Sequence, residues 1–143
     1  MSAEVADERL RAAFYRHWIE DRVRYRDLDA LSHLNSAVYS TYFETARVIL
    51  LRAAGMPLVG DCDPFALVRQ TIDYRRELML DTPVRIGTRI TKLGRTSVGM
   101  TAAIFDGDTC VATAEIIGVI LDRQTRRPKE LSEDLRQKLS AYL

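Results

Sequence analysis

The sequence predicts an α+β domain: a curved antiparallel sheet wrapped around one long central helix. The main signal is a change of hydrophobic period, from alternation over Trp18–Asp27 to helical spacing over Val38–Ala54 and back to alternation in the segments that follow. The helical stretch is also apolar around most of its circumference, so it needs a sheet around it. The later strands follow one another with tight turns, which makes an antiparallel meander.

Each element follows from local pattern. In Trp18–Asp27, Ile19, Val23 and Tyr25 fall on one face and Arg22, Arg24 and Arg26 on the other, as in a half-exposed strand. From Val38 to Ala54 the stripe is Val38, Tyr42, Ala46, Leu50 and Ala53, widened by Tyr39, Phe43 and Ile49. Asn35 or Ser36 can cap its start, and Gly55 followed by Pro57 stops it. Ala66, Val68, Ile72 and Tyr74 then alternate with polar residues, as do Val84 to Ile90 and Val98 to Ile104. Asp106-Gly107 marks a hairpin turn. Cys110–Leu121 is apolar on both faces except at Glu115, the pattern of a strand covered on both sides. Ser132 caps a short amphipathic helix through Leu135 and Leu139.

Bulk properties bound the rest. The chain has 143 residues, and one domain over residues 1–143 is expected. A net charge of +1, from 21 basic and 20 acidic side chains, lacks the electrostatic footprint of a nucleic-acid binder. Met1–Arg11 is polar without an apolar leader core, and no apolar run approaches the about 20 residues of a membrane helix, so a cytoplasmic location is expected. Cys62 and Cys110 read as free thiols rather than a disulfide framework. His17 and His33 have no metal-ligand spacing, so neither a metal nor a cofactor is expected.

The chemistry concentrates in Arg26–Ser36, a loop carrying two carboxylates, an imidazole and a carboxamide at the start of the long helix. Free N–H groups at a helix start favour negative charge and can hold an oxyanion. A neighbouring carboxylate can serve as nucleophile or general base. Other roles are open for each residue. Asp27 is read as ending a strand. Asp29, by spacing alone, fits a turn residue bonding to backbone. His33 fits a structural or a functional histidine equally, Asn35 fits a cap, and Glu44 fits a polar pair with Arg47.

The segments Val23–Asp29, His33-Leu34-Asn35 and Tyr39–Arg47 resemble the signature of the hydroxybenzoyl-CoA-type thioesterases, closest to the acyl-CoA thioester hydrolase branch with its D-x-D-x-x-G-H-x-N-N motif. The resemblance continues through Ile72-Asp73-Tyr74 and Lys92–Val98 to about Pro128. It implies the hotdog fold and hydrolysis of acyl-CoA to free acid and coenzyme A. It implies sites at subunit interfaces, hence a homodimer or homotetramer. It places the catalytic carboxylate on Asp29, the carbonyl-polarising amide near Ser36, substrate or water orientation on His33 and Asn35, and pocket shaping on Tyr39. Three positions depart from the branch: Ser32 replaces the motif glycine, Ser36 replaces the second asparagine, and Glu77 stands where proline is common. Cations are expected against coenzyme A phosphates, with Arg69, Arg75, Arg76, Lys92 and Arg95 as candidates and Arg95 favoured for its place in a turn.

An enoyl-CoA hydratase of the same scaffold fits less well, because Asp29 stands four residues before His33 and the chain has no Asn-Pro. The alternative from another class is a non-catalytic acyl-CoA-binding or sensor protein. For the acyl group, an aliphatic chain is the expectation.

Overall fold

The computed structural model describes residues 6–143; Met1–Val5, part of the polar N-terminal stretch, lie outside the described residues. Five strands, β1 (His17–Arg22), β2 (Phe65–Tyr74), β3 (Pro83–Leu93), β4 (Ser97–Asp106) and β5 (Thr109–Ile120), form one antiparallel sheet in the order β1-β3-β4-β5-β2. It curves around helix α1 (Tyr39–Ala53), and helix α2 (Glu133–Ser140) closes the chain. This is the hotdog arrangement.

The core is the contact between α1 and the inner face of the sheet. Tyr42, Phe43, Ala46, Leu50 and Leu51 of α1 meet Ile86 and Ile90 of β3, Met100 and Ile104 of β4, and Ala114 and Ile116 of β5, all buried. Each large side chain so buried contributes about 1.5–3 kcal/mol. Gly55 ends α1 with φ 83, and the Met56 N–H bonds back to the Leu51 carbonyl at 3.0 Å. The Ser132 hydroxyl accepts from Leu135 N at 3.1 Å, capping α2 as expected. The outer face is covered near β4 by the N-terminal segment, whose Tyr15 packs on Phe105 together with Trp18 of β1.

Three expectations are corrected. The meander runs through only β3, β4 and β5; β2 crosses to the far edge and pairs with β5. That pairing is long-range in sequence, so the alternation within β2 carries no sign of it. Secondly, β1 ends at Arg22, not Asp27: Tyr25–Asp27 form a single 3₁₀ turn and Tyr25 is 81% exposed. The Asp27 carboxylate pulls the chain out of the sheet, its Oδ2 accepting from the Tyr42 hydroxyl of α1 at 2.6 Å and from Arg24 N at 3.3 Å. Thirdly, a bulge between Leu67 and Arg69 breaks the alternation of β2, leaving Val68 61% exposed while Gln70 turns inward to Ser40 at 3.1 Å.

The β2–β3 connection, residues 75–82, sets where the site lies. It runs past the start of α1 and bonds to the loop after β1, with Leu34 N donating to Leu78 O at 2.7 Å and a bridge between His33 and Met79. No described helix is long and apolar enough to cross a membrane.

Candidate active site

Residues 28–34 fold into a small hairpin of their own. Leu28 bridges Leu34, Asp29 N donates to His33 O at 2.9 Å, and Ser32 N donates to Asp29 O at 3.0 Å. Closing so tight a loop puts Ser32 in the left-handed region, φ 65. This accounts for the glycine of the motif, since only glycine adopts that conformation without steric cost. Ser32→Gly is therefore expected to stabilise the protein by about 0.5–1 kcal/mol, the relief of strain exceeding the added entropy of the unfolded chain. Chemical denaturation checks this; an unchanged or lower midpoint would mean that the serine is not strained.

The Asp29 carboxylate is held from one side. Its Oδ1 accepts from Leu31 N at 2.9 Å and from His33 N at 3.4 Å, while Oδ2 has no hydrogen-bond or ion-pair partner among the described residues. Asp29 is thus a turn residue, in line with its spacing, and it also keeps one oxygen free. It lines a cavity of about 310 Å³ together with His33, Leu34, Ser36 and Tyr39 from its own side and Tyr74, Arg75, Arg76 and Glu77 from the end of β2.

Ser36 lies in the turn that leads into α1. Asn35 Oδ1 accepts from Ala37 N at 3.0 Å and Asn35 O accepts from Val38 N at 2.8 Å, so Asn35 closes this turn. α1 itself starts from Val38 without a side-chain cap, so neither Asn35 nor Ser36 caps it, contrary to expectation. The Ser36 N–H has no acceptor among the described residues. A free amide in the turn just before a 15-residue helix lies near the positive end of the helix dipole and is suited to negative charge. Tyr39 is buried, its hydroxyl donating to Arg76 O at 3.4 Å; burial, with lesser contributions from Tyr74 and Glu77, pushes its pKa up and keeps it a neutral donor.

Of the residues singled out from sequence, Asp29, His33, Ser36, Tyr39, Arg75 and Arg76 share this cavity, and Asn35 closes the turn behind it. Arg69, Lys92 and Arg95 do not line it. Arg95, in the β3–β4 turn, pairs with Glu130 at 2.8 Å. That turn joins the far end of the sheet: Tyr74 pairs with Ala112 and Ser97 with Val119, roughly 23 Å apart along β5. Two contributors are given no site role by the sequence, where Tyr74 reads as a strand residue and Glu77 only as a departure from the motif. The Glu77 carboxylate meets His33 Nε2 at 3.2 Å, and the Tyr74 hydroxyl donates to Ser36 O at 2.9 Å. Both arrive through the crossing of β2 to the sheet edge, which no local pattern reports.

A larger cavity, about 400 Å³, lies at the other end of α1. Its charged groups are already committed, Lys129 to Asp63 at 2.7 Å and Lys138 to Asp134 at 2.9 Å, so the smaller cavity has the stronger chemical claim.

The chain is similar to known proteins in sequence and fold. The acyl-CoA thioester hydrolase YbgC of Escherichia coli O6:H1 is 29% identical over 118 residues, covering 80% of this chain and 88% of that protein. A thioesterase from Thermus thermophilus, solved in complex with coenzyme A and Zn, superposes with a TM-score of 0.77 at 29% identity, covering 87% of this chain and 98% of that one. The PA5185 protein of Pseudomonas aeruginosa strain PAO1 superposes with a TM-score of 0.86 at 26% identity, covering 93% and 94%. A family model described as the thioesterase-like superfamily matches residues 23–139, and the chain belongs to that superfamily.

Proposed function

We propose that this chain hydrolyses acyl-CoA thioesters to free acid and coenzyme A in the cavity between Asp29 and the start of α1. One observation carries the reading: Asp29, with one carboxylate oxygen without a partner, and Ser36, with a backbone N–H without an acceptor, among the described residues, line the same cavity. A thioester carbonyl bound with its oxygen on the Ser36 amide would develop negative charge where that amide stabilises it. The free Asp29 Oδ2 either adds to the carbonyl carbon, expelling coenzyme A as thiolate and leaving an anhydride that water hydrolyses, or takes a proton from a water whose attack breaks the C–S bond, the thiolate then taking up a proton. Both routes need the oxygen unpaired. His33, held by Glu77, and the buried Tyr39 supply further polar groups around the reacting centre. The name of the Escherichia coli relative and the coenzyme A bound by the Thermus protein support the substrate class.

Arg75 and Arg76 border the cavity and suit the phosphates of coenzyme A. Arg76 makes no ion pair among the described residues, so Arg76→Ala is expected to raise KM for acyl-CoA about tenfold with kcat little changed, the loss of one charge-assisted bond. Steady-state kinetics checks this, and an unchanged KM would remove Arg76 from the phosphate site. Arg69, Lys92 and Arg95 would meet a substrate bound here only across a subunit interface. The edge of the sheet favours such an interface: β2 offers an unpaired edge, with Leu67, Val68 and Ile117 exposed beside it. A homodimer, or a tetramer built from two, is the assembly proposed.

Thiol release across a panel of acyl-CoAs, from short to long and including aryl chains, tests the activity. Turnover of at least one member is expected, with aliphatic chains preferred. Binding without turnover on any member would instead indicate an acyl-CoA sensor.

A further inference from the structure

We infer that Tyr74 is a positioning residue for the oxyanion site, its hydroxyl fixing the peptide turn that presents the Ser36 N–H. The inference rests on the thioesterase reading for its kinetic consequence, and on hydrogen bonding alone for its structural one.

The N–H groups of residues 35–38 account for themselves. Asn35 N donates to Asp27 O at 2.9 Å, Ala37 N to Asn35 Oδ1 at 3.0 Å, and Val38 N to Asn35 O at 2.8 Å. Of these four only the Ser36 N–H is left without an acceptor among the described residues; the Tyr39 and Ser40 N–H groups that follow, in the first turn of α1, have none either. An amide that must meet a transient oxyanion is useful only if it is already aimed, because aiming it during the reaction costs the rate it would supply. Ser36 is exposed and sits before the first turn of α1, so helix geometry does not hold it. The peptide that follows it is clamped on both faces instead: Asn35 Oδ1 holds the N–H of Ala37, and the Tyr74 hydroxyl holds the C=O of Ser36 at 2.9 Å. The first clamp is local. The second comes from the sheet, across a separation of 38 residues, and ties the turn to the end of β2.

Tyr74 is itself braced for this task. Its ring meets the buried Tyr39 edge-on, centroids 5.0 Å apart, which sets the direction of its hydroxyl. Both rings line the cavity with Asp29 and Ser36.

Tyr74→Phe removes the hydroxyl and keeps the ring; Tyr74→Leu removes both. In a thiol-release assay run beside the wild type, Tyr74→Phe is expected to lower kcat about tenfold with KM within about twofold, less than the loss of an oxyanion donor outright. Hydrogen exchange gives a readout that needs no activity: the Ala37 amide, bonded to Asn35 Oδ1, should exchange faster in Tyr74→Phe than in the wild type. A Tyr74→Phe enzyme with the wild-type kcat and an impaired Tyr74→Leu would overturn the inference, leaving only ring packing. If the wild type turns over no acyl-CoA, the thioesterase reading fails, and the exchange of Ala37 decides alone: unchanged protection in Tyr74→Phe refutes the positioning role.

Discussion

Asp29→Asn is expected to reduce acyl-CoA hydrolysis about a thousandfold or more while leaving the fold intact. The substitution is close to isosteric, and an amide oxygen can still accept from Leu31 N and His33 N, the two bonds that shape the loop. What it removes is the negative charge and basicity of the oxygen that has no partner. An uncharged carboxamide neither adds to a carbonyl nor accepts a proton from water at useful rates. The denaturation midpoint should therefore stay near that of the wild type while kcat collapses and KM changes little. A large loss of stability would mean that Asp29 serves mainly the turn, and near wild-type turnover would take the carboxylate out of the reaction.

Asp27→Ala is expected to act on stability, at a cost of about 3 kcal/mol. Asp27 is 7% exposed, and its carboxylate receives the Tyr42 hydroxyl at 2.6 Å from inside the core. Removing it leaves the buried Tyr42 hydroxyl with only its long bond to Arg22 O at 3.5 Å and leaves Arg24 N without its acceptor, and a buried polar group poorly partnered costs more than the bond contributed. Burial and the bond to Asp27 together push the Tyr42 hydroxyl well above the ordinary tyrosine range, so it remains a donor at physiological pH. Tyr42→Phe removes the same bond without stranding a core hydroxyl and should cost less, about 1–2 kcal/mol. Equal stability of Asp27→Ala and wild type in urea would show that the pair is dispensable. Because the Asp27 carbonyl also receives Asn35 N at 2.9 Å, turnover should fall with stability.

What is legible in sequence is what is local. The helix expected over Val38–Ala54 spans Tyr39–Ala53, and the stop at Gly55 is where the glycine and the apolar stripe put it. β3 and β4 follow alternation, β5 follows its run of apolar residues on both faces, and the turn at Gly107 follows turn chemistry. The end of β1 is not legible, because the residues that leave the sheet, Arg24 to Asp27, keep the alternation of a strand while a side-chain bond to Tyr42 turns the chain. The partner of β2 is not legible either, since edge placement is decided by pairing with β5 across the intervening strands. The candidate site divides along the same line. Asp29, His33, Ser36 and Tyr39 lie within one short stretch and stand out together. Tyr74 and Glu77 join them only through the route of β2 over the start of α1. The strain at Ser32 gives the motif glycine its physical reason, which composition alone does not supply.

The most direct measurement is a crystal structure of the Asp29→Asn variant with an intact acyl-CoA. The thioester oxygen is predicted within hydrogen-bond distance of the Ser36 N–H, with the carbonyl carbon facing residue 29 and the phosphates toward Arg75 and Arg76. A thioester bound elsewhere, such as in the cavity at the far end of α1, would contradict the account.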